Sequence, residues 1–125
     1  MIYILTAPIQ SGKTTSLIEW ASTKNDVYGI LTPVIDGKRY FMDAHTKEQF
    51  NMEAVGNEEA LQVGKFNFSK YNFEIANGII TDGITKEGWL VVDEVGPLEL
   101  RGEGFHETLD YLFQMRRERI ILVVR

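Results

Sequence analysis

The chain contains no cysteine. That excludes a disulfide framework, a thiolate metal site and a cysteine nucleophile. Its two histidines, His45 and His106, are separated by much of the sequence, so they do not suggest a metal pair and are expected at the surface. No apolar run approaches the roughly 20 residues that cross a bilayer. The opening Met1-Ile2-Tyr3-Ile4-Leu5 lacks a basic leader, so neither a membrane span nor a signal peptide is expected, and the cytoplasm is the default location. Cations are in the minority, 13 Lys and Arg against 18 Asp and Glu, for a net charge of −5. This argues against nucleic acid as a partner, because phosphate backbones are held by clustered Lys and Arg. The one dense basic stretch, Arg116-Arg117-Glu118-Arg119, closes a predicted helix, where cations offset the helix dipole. Repeats, linkers and low-complexity segments are also missing.

What remains is a chain of 125 residues, 44% apolar and 25% charged, sufficient for one domain with a real core. Residues 2–6 are apolar, rich in β-branching and uncharged, the pattern of a short buried strand. A helix is expected over residues 14–23, with Leu17, Ile18 and Ala21 on one side. Residues 27–35 and 39–44 flank Asp36-Gly37, a hairpin signal, and a third strand follows near 49–53. Residues 27–68 therefore read as an antiparallel insertion, with Phe66, Phe68, Tyr71 and Phe73 packing it onto the domain. A helix over 74–86, weakened by Gly78 and Gly83, precedes a buried strand at 89–92 that runs into Asp93-Glu94. Over 103–117, Phe105, Leu109, Leu112 and Phe113 recur at helical spacing, and residues 120–124 form a last buried strand. Tyr3, Trp20 and Trp89 are expected in packing, and Glu99 and Glu103 at the start of the helix after them. Strands alternating with helices imply an α/β fold: a mainly parallel sheet flanked by helices, with an antiparallel β insertion after the first helix.

Two stretches carry chemistry. "TAPIQSGKTTSLIEW" ends as a phosphate-binding loop, Ser11-Gly12-Lys13-Thr14-Thr15, between a strand and a helix. Such a loop points backbone N–H groups inward, and the helix N-terminus adds partial positive charge. Gly12 allows close approach of phosphates, Lys13 reaches the β and γ phosphates, and the Thr14 hydroxyl ligates Mg²⁺. Ala7, Pro8, Ile9 and Gln10 complete the nucleotide-binding loop, with Ala7 where the first glycine of the pattern falls. Alanine is the smallest departure, so the loop is expected to be stiffer and of lower affinity, yet to bind. The second stretch is "WLVVDEVGPLEL". An apolar strand ending in an acid is where such folds hold Mg²⁺, which points to Asp93. Glu94, on the other face of the strand end, is positioned to orient or deprotonate a water attacking the γ-phosphate.

Nearly the whole chain resembles the small RecA-like P-loop nucleoside-triphosphatases of the THEP or cancer-related type. The likeness rests on the loop followed by "TT", on "YGILTPVIDGKRYF" as a hairpin, on "VGKFNF", and on "VVDEVGPLEL". It implies Mg²⁺-dependent hydrolysis of ATP, GTP and other nucleoside triphosphates with low base selectivity. It also implies Lys13, Thr14 and Asp93 in binding and Glu94 as catalytic base. Ala7 and Gln10 replace two glycines of the family loop. Family members also continue beyond the last strand here, which by analogy lies between the phosphate-loop strand and the acidic strand. Residues 2–6 would then form a sheet edge: either the sequence is a fragment, or a partner, such as a further copy, covers that edge, and Arg125 would sit at the catalytic end of the sheet. Two other readings stay open: a nucleotide-binding module that hydrolyses little and docks a partner, and a small-molecule or nucleotide kinase, for which no basic lid is evident.

Overall fold

The computed structural model describes residues 1–6, 12–115 and 117–124. Ala7, Pro8, Ile9, Gln10 and Ser11 of the expected loop, together with Arg116 and Arg125, lie outside the described residues. In chain order the elements are β1 (Ile2–Thr6), α1 (Lys13–Ser22), β2 (Val27–Leu31), β3 (Val34–Ile35), β4 (Lys38–Asp43), β5 (Gln49–Asn51), β6 (Ala60–Val63), β7 (Phe66–Ser69), α2 (Lys70–Gly83), β8 (Trp89–Val95), α3 (Pro97–Leu100), α4 (His106–Gln114) and β9 (Ile120–Val124).

A 7-stranded sheet runs β1-β9-β8-β2-β4-β3, with β5 on β4, and β6 and β7 form a separate hairpin. The pairs β1–β9, β9–β8 and β8–β2 are parallel. The last strand thus lies between the phosphate-loop strand and the acidic strand, as the family resemblance implies. Side-chain alternation along β8 divides the core. Leu90 and Val92 pack beneath α2 and α4, with Phe41, Phe73, Ala76, Ile80, Phe105 and Leu112. Val91 faces the opposite layer, with Leu17 and Ala21 of α1. These two apolar faces are what a parallel strand between helical layers requires.

β1 is the sheet edge, as the family resemblance implies. Several other expectations shift. The buried strand read from the composition of residues 2–6 is not found: Ile2, Tyr3 and Ile4 are 44%, 45% and 60% exposed. β2 belongs to the parallel sheet through Val27–Ile30 pairing with Trp89–Val92, and only its end pairs antiparallel with β4. The antiparallel excursion therefore begins after β2 rather than at residue 27. α2 starts at Lys70, four residues ahead of expectation in the sequence, because the buried Ser69 side chain accepts the Asn72 N–H and caps it. α4 is shorter than expected, and Phe113 falls off its buried face at 44% exposure while Phe105, Leu109 and Leu112 stay in the core. Phe68 and Phe73 pack as expected, but Tyr71 is exposed. Tyr3 and Trp20 both pack against Trp89, at ring centroid distances of 5.5 and 5.6 Å. Arg117 reaches a different helix end from the one expected: its guanidinium donates to the carbonyls of Lys86 (2.6 Å) and Gly88 (3.0 Å), just beyond α2.

Candidate functional site

The C-terminal ends of the parallel strands and the N-terminus of α1 meet at one edge of the sheet. Gly12 precedes α1 with φ +82°, a left-handed conformation in which a side chain is strained. The helix then starts with no side-chain cap and no acidic residue in its first turn. Its leading N–H groups and positive dipole end therefore suit an anion. Lys13 and Thr14 are partly buried in that turn, whereas Thr15 is exposed.

Asp93 is fully buried at the end of β8. Its Oδ2 accepts the Thr14 hydroxyl at 2.8 Å and the Thr32 backbone N–H at 3.1 Å. Its Oδ1 has no hydrogen-bond partner among the described residues. Burial pushes the carboxyl up to about 6; the bonds from Thr14 and Thr32 pull it down, and the neighbouring Glu94 charge adds to the rise. A buried carboxylate with one oxygen unpartnered, beside a hydroxyl, is the hard-oxygen donor set that a divalent cation takes. The described residues contain no cluster of three or more His, Cys, Asp and Glu side chains suited to a metal. That is compatible with magnesium, which is commonly held by one or two carboxylates plus substrate phosphates. Thr14 and Asp93 thus fit the metal role expected of them.

The Asp93–Glu94 peptide is cis. Glu94 remains partly exposed, and its Oε1 lies 3.8 Å from a guanidinium nitrogen of Arg39. The loop after β8 is held by Glu99, whose carboxylate accepts the N–H groups of Gly96 (2.6 Å) and Phe105 (2.9 Å). Burial raises the pKa of Glu99, while those bonds oppose the rise. Glycine suits position 104, where φ is +63° and a Cβ would displace the Glu99 carboxylate, standing 2.1 Å from its Oε2. Glu99 thus stands in the first turn of α3 and caps it through Gly96, as expected, and also holds Phe105, which precedes α4; Glu103 pairs instead with Arg101 at 3.0 Å.

Residues 2–125 match the family model described as NTPase. The chain belongs to the NTPase family. The NTPase chain is similar to the crystal structure of THEP1 from the hyperthermophile Aquifex aeolicus, with TM-score 0.78 and 16% identity over 99% of this chain and 76% of that one. It is also similar to the solution structure of a human cancer-related nucleoside triphosphatase, with TM-score 0.68 and 22% identity over 98% of this chain and 73% of that one. Comparison with curated proteins returned no match. At these identities the structural likeness is one of fold, and it is family membership that supports nucleotide binding by the chain. No helix among the described residues of this NTPase is long and apolar enough to cross a membrane.

Thr32 and Arg39 were given no role from the sequence, although both stand in "YGILTPVIDGKRYF". Thr32 contributes a backbone N–H, which no side chain advertises; a polar residue closing an apolar strand beside the acidic strand was the available signal. Arg39 is reached only through tertiary structure.

Proposed function

We propose that the protein is a Mg²⁺-dependent nucleoside-triphosphatase that hydrolyses ATP and GTP to the diphosphate and phosphate. The observation that carries this reading is the clasp of Thr14 on buried Asp93, with Asp93 Oδ1 left unpartnered among the described residues and Glu94 next in the chain. Thr14 and Asp93 would hold the cation, which when bound neutralises charge on the phosphate oxygens. The N-terminus of α1 and Lys13 bind the phosphates and stabilise charge that develops in the transition state. Glu94 orients a water and accepts its proton as the oxygen attacks the γ-phosphorus in line and the bond to the β-phosphate oxygen breaks. The loop residues Ala7 to Ser11 complete the cradle in this reading, at reduced affinity because Ala7 and Gln10 are not glycine.

The test is phosphate release from Mg-ATP and Mg-GTP alongside nucleotide binding, in the wild type and Glu94→Gln. Loss of turnover by roughly 100-fold or more with binding retained is the expected result. Wild-type binding without release would favour the nucleotide-binding module. Phosphate transfer to an added nucleoside or monophosphate would favour the kinase.

A further inference from the structure

Arg39 sits on β4, in the antiparallel excursion, far from both sequence motifs of the site. Its backbone is fixed on both sides: its N–H donates to Glu53 Oε2 at 2.8 Å, and its carbonyl accepts the Met52 N–H at 3.2 Å. Its guanidinium lies 5.0 Å from the centre of the Phe66 ring, on β7. On the other side it meets Glu94 Oε1 at 3.8 Å, with the two side chains 14% and 21% exposed. That separation is an ion pair rather than a hydrogen bond. Partial burial makes it worth more than a surface pair, because water screens it less. Glu94 stands in an acidic neighbourhood, and its charge raises the pKa of both Asp93 and Glu99. That repulsion acts on the Glu94 carboxylate as well, and the Arg39 cation opposes it. A planar cation stacked on an aromatic ring is well suited to hold the carboxylate, since the ring restricts the guanidinium that restrains it.

We infer that Arg39 is a positioning residue for Glu94: held by Phe66 and the β4–β5 ladder, it restrains the Glu94 carboxylate through Oε1 in the orientation from which it acts on the attacking water. The inference rests on the hydrolase reading above and gives the antiparallel excursion a task in the reaction. Arg39 acts through Glu94 and not on the phosphates. Losing it should therefore slow the chemical step while leaving nucleotide binding intact.

The experiment measures kcat and KM for Mg-ATP in Arg39→Ala, Arg39→Met and Arg39→Lys, each alone and combined with Glu94→Gln, with a thermal melt for every variant. Met keeps the length and apolar stem of the side chain, so it remains informative if the Ala variant does not fold. We expect kcat to fall roughly 10- to 100-fold in the Ala and Met variants, as for a displaced catalytic group, with KM within about two-fold. Lys should recover part of the loss. In the Glu94→Gln background the same substitutions should change the residual rate by less than about two-fold, because residues acting as a unit are not additive. An unchanged kcat would overturn the inference. So would a rise in KM alone, which would make Arg39 a nucleotide contact. A loss that persists undiminished in Glu94→Gln would also overturn it, placing Arg39 on the transferring phosphate. A Lys variant no better than Met would assign the effect to packing, with the same consequence. Wild-type turnover in Glu94→Gln alone would overturn the hydrolytic role of Glu94 and this inference with it. Loss in Glu94→Gln with indifferent Arg39 variants would overturn only the role of Arg39.

Discussion

The Thr14 hydroxyl donates to Asp93 Oδ2 at 2.8 Å across 79 residues of sequence, joining the first turn of α1 to the end of β8. The bond holds the two oxygen donors of the candidate cation site side by side. It also leaves a charged carboxylate in a fully buried position, where its desolvation disfavours folding.

Asp93→Asn should separate function from stability. The asparagine carbonyl can still accept from Thr14 and from the Thr32 N–H, while the buried charge disappears. We expect the metal-free protein at pH 8 to gain about 1–2 kcal/mol. This is less than the full cost of the charge, because the amide NH₂ takes the unpartnered place of Oδ1. Mg²⁺-dependent phosphate release should fall below about 1% of wild type, a loss of the order that removing a key electrostatic group produces. Urea denaturation in chelator and a phosphate-release assay check the two halves. A destabilised variant would mean that the buried carboxylate contributes to the fold more than it costs.

The same residue sets a pH dependence. The folded chain holds the Asp93 proton up to about pH 6, whereas the unfolded chain releases it near 3.8. Between those values the folded state binds more protons, so this contribution to stability is fully present below about pH 4, is lost as pH rises through 6, and is flat above. Glu99, also raised, acts in the same direction. Other carboxylates titrate over that range, so the clean readout is the difference between wild type and Asp93→Asn in chelator. The advantage of the variant should shrink as pH is lowered from 8 to 4. A constant difference across that range would contradict the raised pKa.

Much of this arrangement is legible in the sequence, for identifiable reasons. The bounds of β9 can be read because it is a short apolar run between Arg119 and Arg125, those of β1 because an uncharged, β-branched run leads into the loop signature, and α1 because its buried stripe follows directly on Lys13-Thr14. Thr14 and Asp93 were assigned to one metal independently of each other, and they touch. What stayed hidden depends on three dimensions. The backbone N–H of Thr32 has no side-chain identity, and the pairing of Arg39 with Glu94 needs the β4 hairpin folded over the end of β8. The early start of α2 is masked in the sequence by the aromatic run at residues 66–73, whose spacing does not separate the end of β7 from the first turn that Ser69 caps. β1 looked buried because its composition is apolar on both faces, and composition says nothing of which strands lie beside it.

Arg117 offers a stability prediction away from the site. Its guanidinium gathers the carbonyls of Lys86 and Gly88, with Gly83 at 3.5 Å, and so closes the turn from α2 into β8. Arg117→Ala strands these carbonyls and should cost about 2 kcal/mol, the range for hydrogen bonds to a charged donor. Arg117→Lys should recover only part of this, since a point charge cannot serve several acceptors in the guanidinium plane. Chemical denaturation checks the order wild type, Lys, Ala. The kcat for Mg-ATP should not change in either variant at a temperature where both are folded.

The free edge of β1 leads to the last expectation. Among the described residues, β1 pairs with β9 alone, and Ile2, Tyr3 and Ile4 leave apolar surface beside unpaired backbone groups. Such an edge is a template for another strand, and natural sheets blunt it with charge. Here there is none: residues 2–6 carry no charged side chain. At rising concentration the 125-residue chain should self-associate through this edge, with pairing of β1 strands between copies. Ile4→Lys places a charge on the most exposed apolar position of the strand, and it should shift the onset of association to at least several-fold higher concentration. Light scattering after size exclusion reads that onset directly. Ile4 lies outside the Thr14, Asp93 and Glu94 cluster, so phosphate release per chain should be preserved when both proteins are dilute. If the variant associates as readily as the wild type, the contact lies elsewhere. The exposed helix residues Tyr111 and Phe113 on α4 would then be the next surface to charge.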